Sequence, residues 1–388
     1  MLLRAIYIQR IVASFLPHRI RRELRELYLS TTLMQLAATG LALFETIYLY
    51  TLGYNLATIT GFWLEVYVGY FFLIPLGAKL TRRFGAEALI ASGSLFYVVY
   101  LAALYAIRDV PVMLFIAPLL YAVQKMLYWP AFHADFAKNV NQKTEGELVG
   151  DFQILVGLAA IAGPIIAGFV VEYFGFLSFF ILGSFVIALS NWPMLRTKES
   201  VTPKPFSYLR PYERLFSGIH RRQLFAHLGY GEELVGLAIW PIFVFVIIGN
   251  YLSSGVVVGL ATTFTILLTY FFGKVSDRLN RRHILRIGGL GNAVLWLLAI
   301  LPQARWSIVL LDTSFRVAKN SITIPLVAMS YHDAQTSDPL DEVLLYEMGL
   351  ILGKVFAAIL ILVALLVFDG FSPFFVVASV MSLLYLWR

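Results

Sequence analysis

The chain has 388 residues, 60% of them hydrophobic and only 14% charged, with a mean hydropathy of +0.79; a soluble protein of this length needs far more charge to cover its surface. The formal net charge is +7, and the absence of cysteine excludes disulfides, thiolate metal sites and cysteine nucleophiles. Apolar runs recur from about Tyr28 onward, each long enough to cross a hydrocarbon core about 30 Å thick as a helix, and continuous rather than alternating, which excludes a β-barrel.

Residues 1–27 begin apolar (Leu2, Leu3, Ile6) and turn basic (Arg19, Arg21, Arg22, Arg25), with no small-residue cleavage site after them. This reads as an amphipathic, basic arm on the cytoplasmic face, with a flexible basic tail as the alternative. Spanning helices are expected at 29–52, 56–77, 87–107, 111–134, 149–172 and 176–195. A segment at 196–223, with Pro203, Pro205 and Pro211, interrupts them. Six more follow at 224–248, 252–272, 287–303, 306–330, 342–368 and 371–387. The chain thus divides into six-helix bundles at 28–195 and 224–388, joined by the central segment. Of the 30 Lys and Arg, 24 lie at the termini and in the longer connections, against two (Arg108 and Arg305) in the short ones. Both termini are therefore expected in the cytoplasm, the chain being multi-pass in the inner membrane of a prokaryote. The same placement accounts for the basic charge without nucleic acid.

After the eighth expected helix stands Gly273-Lys-Val-Ser-Asp277-Arg278-Leu-Asn280-Arg281-Arg282. It resembles the Gly-x-Leu-Ala-Asp-Arg-x-Gly-Arg-Arg motif of the major facilitator superfamily, with Asn280 at the second glycine. In that motif a glycine lets two helices approach, and the aspartate pairs with arginines and helix amides to latch one conformation. The first-half counterpart, Ala78-Lys-Leu-Thr-Arg82-Arg83-Phe-Gly85, keeps the frame but carries Arg82 at the aspartate position. In the fifth helix Gly150, Gly163, Pro164 and Gly168, with Ala159 and Ala167, are similar to the family's antiporter motif; generic small-residue packing is the other reading. The resemblance implies an all-α integral membrane fold of twelve helices in two pseudo-symmetric bundles. It further implies a cavity lined by the first, fourth, seventh and tenth helices, with the third, sixth, ninth and twelfth facing lipid.

Charged residues away from helix ends cost about 2.5–3.5 kcal/mol each on insertion scales, so they mark cavities or partners. They occur at Glu45, Glu65, Lys125, Glu232, Glu233, Asp312, Arg316, Lys319, Glu347 and Lys354, and none falls in the four helices that the family turns to lipid. In the tenth helix Asp312, Arg316, Lys319 and Asn320 form one stripe. There Asp312 pairs with Arg316 one turn on, and Lys319 meets either a ligand anion or an acid of the seventh helix. Tyr121, Lys125 and Trp129 occupy adjoining turns of the fourth helix and suit a planar or amphiphilic organic solute. Trp240 shares a face with Glu232, and Glu232 and Glu233, being adjacent, point about 100° apart and are not expected to face one spot.

These residues define the candidate site. Lys125, Tyr121, Trp129, Arg316, Lys319, Asn320 and Trp240 are expected to bind solute, and Glu45, Glu232, Glu233 and Asp312 to exchange protons. No nucleotide-binding loop, metal cluster or catalytic dyad stands out, so no cofactor and no enzymatic activity are expected. The expected function is alternating-access transport by a monomer, coupled to protons (sodium being the alternative ion). Export of an organic, moderately amphiphilic solute comes first, on the antiporter-like motif. Import by symport is the second reading, and a non-transporting sensor or scaffold the third.

Overall fold

A computed structural model describes residues 22–139, 146–191, 206–217, 221–276, 280–301, 303–334 and 339–387; every regular element among them is helical. Most of the basic arm and the Asp277–Arg278 pair lie outside the described residues.

Four helices open the chain: α1 (Arg22–Thr51), α2 (Leu56–Phe84), α3 (Ala86–Ala106) and α4 (Met113–Asn139). Asn55 starts α2 as its cap, its side-chain oxygen accepting the Thr58 N–H at 2.8 Å. The fifth and sixth expected helices form one path, α5 (Gly146–Ser190), bent at Gly175. There φ is 78°, a conformation that glycine adopts without a Cβ clash, so the chain reverses with no separate loop. A short α6 (Arg210–Leu215) lies in the central segment.

The next path is irregular: α7 (Arg221–Leu228), a 3₁₀ turn (Gly229–Gly231), α8 (Glu232–Leu234), a π turn (Val235–Ile239) and α9 (Trp240–Ile248). Pro241 supplies no N–H to the turn before it, which is where the π geometry ends. The remaining helices are α10 (Tyr251–Ser276), α11 (Arg281–Leu298), α12 (Arg305–Ala334), α13 (Pro339–Ala364) and α14 (Ser372–Leu383), the last extended by a 3₁₀ turn to Trp387.

Seven stretches among the described residues are long and apolar enough to cross a membrane. They are Leu29–Thr51, Leu56–Phe84, Ala86–Ala106, Leu155–Ser190, Gln223–Ile248, Tyr251–Thr269 and Glu342–Ala364. The difference from the twelve expected has plain causes. Leu155–Ser190 merges two expected helices, α4 carries Gln124 and Lys125 with two prolines, α12 carries Asp312, Arg316 and Lys319, and α11 begins with Arg281, Arg282, His283 and Arg286. The apolar Ser372–Trp387 is shorter than the rest.

Small residues set the closest helix approaches. In lipid there is no hydrophobic drive between helices, so close van der Waals packing carries association. Gly163 lies against the Leu36 carbonyl and Thr39 of α1, Gly168 against Tyr251 of α10, and Gly255 of α10 against the Pro164 carbonyl. These contacts seam α5 to α1 and α10, and beside the short connections the Tyr251 N–H donates to Glu172 at 2.9 Å.

At the opposite end the central segment bridges α2 and α13. Pro75 cannot donate to the Phe71 carbonyl four residues earlier. The Tyr212 hydroxyl donates there instead, 3.1 Å from Phe71 O and 3.2 Å from Phe72 O. Tyr208 donates to Phe72 O at 2.5 Å, and Arg214 pairs with Glu342 of α13.

Candidate solute cavity

A cavity of about 600 Å³ lies among α1, α2, α4, the irregular stretch around Tyr230, α12 and α13. Aromatic and aliphatic side chains dominate its wall, among them Tyr67, Tyr70, Tyr121, Tyr128, Trp129, Tyr230 and Tyr346. Lys125, Lys354, His133, Glu233, Glu342 and Glu347 supply charge or proton-exchanging groups. Such a wall, largely apolar with a few convergent polar groups, suits an organic molecule.

Behind this wall sits Glu45. Its side chain is 1% exposed and accepts hydrogen bonds from the Tyr97 hydroxyl at 2.9 Å and the Tyr100 hydroxyl at 3.2 Å. Both rings stack on Tyr121, with Tyr100 parallel to it at 4.3 Å between centroids and 6° between planes. Lys125 Nζ then lies 4.3 Å over the Tyr121 ring. A carboxylate on α1 and an ammonium on α4 are thus joined through a tyrosine stack partly built by α3. The sequence reading missed Tyr97 and Tyr100, because the family turns the third helix to lipid. Their one sequence signal was spacing: three apart, they share a helix face.

Removing both donors, by Tyr97→Phe with Tyr100→Phe, should destabilise the fold by about 2–4 kcal/mol, since each leaves a buried acceptor less satisfied. Thermal unfolding in detergent measures this, and an unchanged midpoint would show that the tyrosines do not hold Glu45.

A second cluster lies beside the cavity. Lys319 of α12 forms ion pairs with both Glu232 and Glu233, and its ammonium stands 3.5 Å from the Tyr230 ring centroid. The 100° divergence of the two carboxylates does not prevent a shared partner, because the long lysine stem carries one ammonium between them. Of the readings open for Lys319, the structure shows pairing with acids of the seventh expected helix. Tyr385 also donates to Glu232, at 3.4 Å.

A third cluster is Asp312, which pairs with Arg316 at 2.9 Å, one turn on as the spacing predicts, and accepts from the Trp240 indole at 2.9 Å. Trp240 is 5% exposed and packs among Trp296, Phe315 and Phe375.

Of the residues named from sequence for solute binding, Tyr121, Lys125 and Trp129 line the cavity, while Arg316, Lys319, Asn320 and Trp240 stand outside its lining. Asn320 instead donates to Thr269 of α10 at 3.1 Å. Among the four carboxylates named for proton exchange, Glu233 alone is in the wall. The wall also contains Lys354 and Glu347, charged positions to which the sequence reading gave no role. Glu347 pairs with His133 at 3.2 Å, and Lys354 meets the Tyr67 hydroxyl at 3.4 Å.

In the latch-like motif, Gly273 lies in α10, Arg281 and Arg282 are exposed, and Asn280 caps α11 by accepting the Arg282 N–H at 2.9 Å. Its φ of −64° is ordinary for any residue, so the usual glycine is not needed there. In the antiporter-like stripe, Gly150 lies in α5 and Gly163, Pro164 and Gly168 form the seam already described.

The family model of the Major Facilitator Superfamily matches residues 27–254, more than half of the chain. The chain belongs to that superfamily. It is accordingly a transport protein and not an enzyme. Among curated proteins, none matches it. Solved structures of similar fold include the POT family transporter PepTSo, crystallised in meso, at a TM-score of 0.73 and 12% identity over 95% of this chain and 98% of that one. An auto-inhibited POT family peptide transporter matches with a TM-score of 0.73 and 13% identity, over 94% and 95%. A peptide transporter POT in complex with sulfate matches with a TM-score of 0.71 and 12% identity, over 94% and 92%. At these identities the likeness is one of fold.

Proposed function

We propose that this chain is a proton-coupled secondary transporter that works by alternating access and exports an organic, moderately amphiphilic solute. One observation carries the reading: the 600 Å³ cavity takes its wall from α1, α2 and α4 before the central segment and from the Tyr230 stretch, α12 and α13 after it. A solute there touches both parts of the chain, as a carrier that rocks two bundles about a midplane site requires.

In this reading twelve helices form bundles at 28–195 and 224–388, joined by 196–223, and the monomer is the working unit. The basic arm and both termini face the cytoplasm of a prokaryotic cell, as the 24 Lys and Arg at one end of the helices support. Tyr121, Lys125 and Trp129 contact solute. Arg316, Lys319, Asn320 and Trp240 then serve the site from beside the cavity. Glu45, Glu232, Glu233 and Asp312 are the candidates for proton exchange. Glu45 leads, because its tyrosine partners connect it to Lys125 without an ion pair.

Export rests on the Gly163–Pro164–Gly168 stripe, whose likeness to the antiporter motif coincides with close approaches of α5 to α1 and α10. Import is the second reading, favoured by the fold shared with POT family peptide transporters. Proteoliposomes with an imposed proton gradient and labelled organic solutes test both. Proton-driven movement out of the compartment facing the basic loops is expected, and movement into it would establish import. Failure of every solute to move would favour a sensor or scaffold. Within that assay, Lys125→Gln should reduce the rate at least about tenfold.

A further inference from the structure

The charges in the cavity wall are not balanced at contact distance. Each of its three carboxylates holds a base: Glu233 pairs with Lys319, Glu342 with Arg214, and Glu347 with His133. The two ammonium groups do not have the equivalent. Among the described residues, no carboxylate stands within ion-pair distance of Lys125 or Lys354. They touch rings instead. Lys125 lies 4.3 Å over Tyr121 and 5.9 Å from the centre of Tyr67, while Lys354 lies 4.7 Å over Tyr67 and 5.3 Å from Tyr230. Both cations therefore share the Tyr67 ring. Around Lys125, the repulsion from Lys354 is opposed at longer range by Glu45, Glu347 and Glu233.

Lys125 and Lys354 are both half-buried, and an ammonium partly withdrawn from water without a counter-ion at contact is costly, which aromatic faces compensate only in part. Two such groups converging on one ring in the wall of a cavity leave one chemical role open. We propose that Lys125 and Lys354 together seat an anion: the solute is an organic acid whose acidic group sits between the two ammoniums beside Tyr67. Its apolar body then lies against Tyr121 and Trp129. Lys125 stands on α4 and Lys354 on α13, on opposite sides of the central segment. An acid between them replaces repulsion by two charge-assisted hydrogen bonds and draws α4 and α13 together. Loaded and empty carrier would differ in just the contact that alternating access needs to sense.

The consequence for movement rests on the transporter reading, but the seat itself is measurable without transport. The full chain in detergent is titrated with N-acetyltryptophan, N-acetyltryptophanamide and tryptamine, which share a body and differ in charge. Benzoate, phthalate and naphthalenesulfonate extend the acid series. Acids should bind, with the amide and amine weaker by about tenfold or more. Lys354→Gln and Lys125→Gln should each weaken acid binding about tenfold and erase the preference for acid over amide, while Lys354→Arg retains it. If Lys354→Gln does not fold, the acid–amide preference of the unaltered chain and of Lys354→Arg decides the matter.

Equal binding of acid and amide, an unaffected Lys354→Gln, or no binding by any of the acids would each overturn the proposal. The two readings fail separately. Acid binding with no movement in proteoliposomes removes transport and keeps the seat. Movement of a neutral or cationic solute at an unchanged rate in Lys354→Gln removes the seat and keeps transport.

Discussion

Lys319→Met should be among the most damaging single substitutions in this protein, lowering stability by about 3–5 kcal/mol. Glu232 is 3% exposed, and with Lys319 gone it and Glu233 lose the ammonium that both contact. Two adjacent carboxylates then remain in a setting poor in water, repelling each other. Glu232 keeps the Tyr385 hydroxyl at 3.4 Å, a small offset. The effect is read from thermal unfolding of purified protein in detergent and from yield in the membrane. A triple variant, Lys319→Met with Glu232→Gln and Glu233→Gln, should recover most of the loss, because the uncompensated charge and not the missing lysine is the cause. If the triple variant is as unstable as the single one, the cluster is not held by charge balance.

Gly255→Val should nearly abolish transport and leave solute binding largely intact. A Cβ at position 255 falls onto the Pro164 carbonyl, so α10 and α5 must separate for any larger residue to fit. Overpacking of this kind costs about 1–3 kcal/mol, which as a barrier to closing the seam lowers the rate about five- to 150-fold. The cavity residues are not in that contact, so affinity should change little. Initial rates in proteoliposomes beside equilibrium binding in detergent separate the two effects. An undiminished rate would show that this seam need not close during the cycle.

Both expectations rest on contacts between distant parts of the chain, and they mark where sequence reading stopped. Asp312 and Arg316 were legible as a pair because four residues on one helix fix their relation, whatever surrounds them. For Lys319 an acid of the seventh helix was only one of two readings, since Glu232 and Glu233 lie 87 and 86 residues away and only the packing of α12 on the irregular stretch brings them into reach. Adjacency on a helix implied that Glu232 and Glu233 could not both face one spot, yet the Lys319 ammonium contacts both. The tyrosine clamp on Glu45 was invisible for the same reason: α3 was assigned to lipid as a whole helix, while two of its residues face inward.

What the sequence determined by itself is the helical class, the superfamily and the positions where charge enters the apolar segments. The helical class and the charge positions follow from composition, periodicity and local spacing, which act within one helix and need no knowledge of its neighbours; the superfamily came from the likeness of the motif from Gly273 to Arg282. The tertiary structure decided which charges neutralise each other and which have no carboxylate at contact distance among the described residues. It turned Lys319 into half of an internal network and left Lys125 and Lys354, 229 positions apart, against one tyrosine ring. Ion pairing acts over a few ångströms, and no local rule in the chain fixes which distant helices come that close.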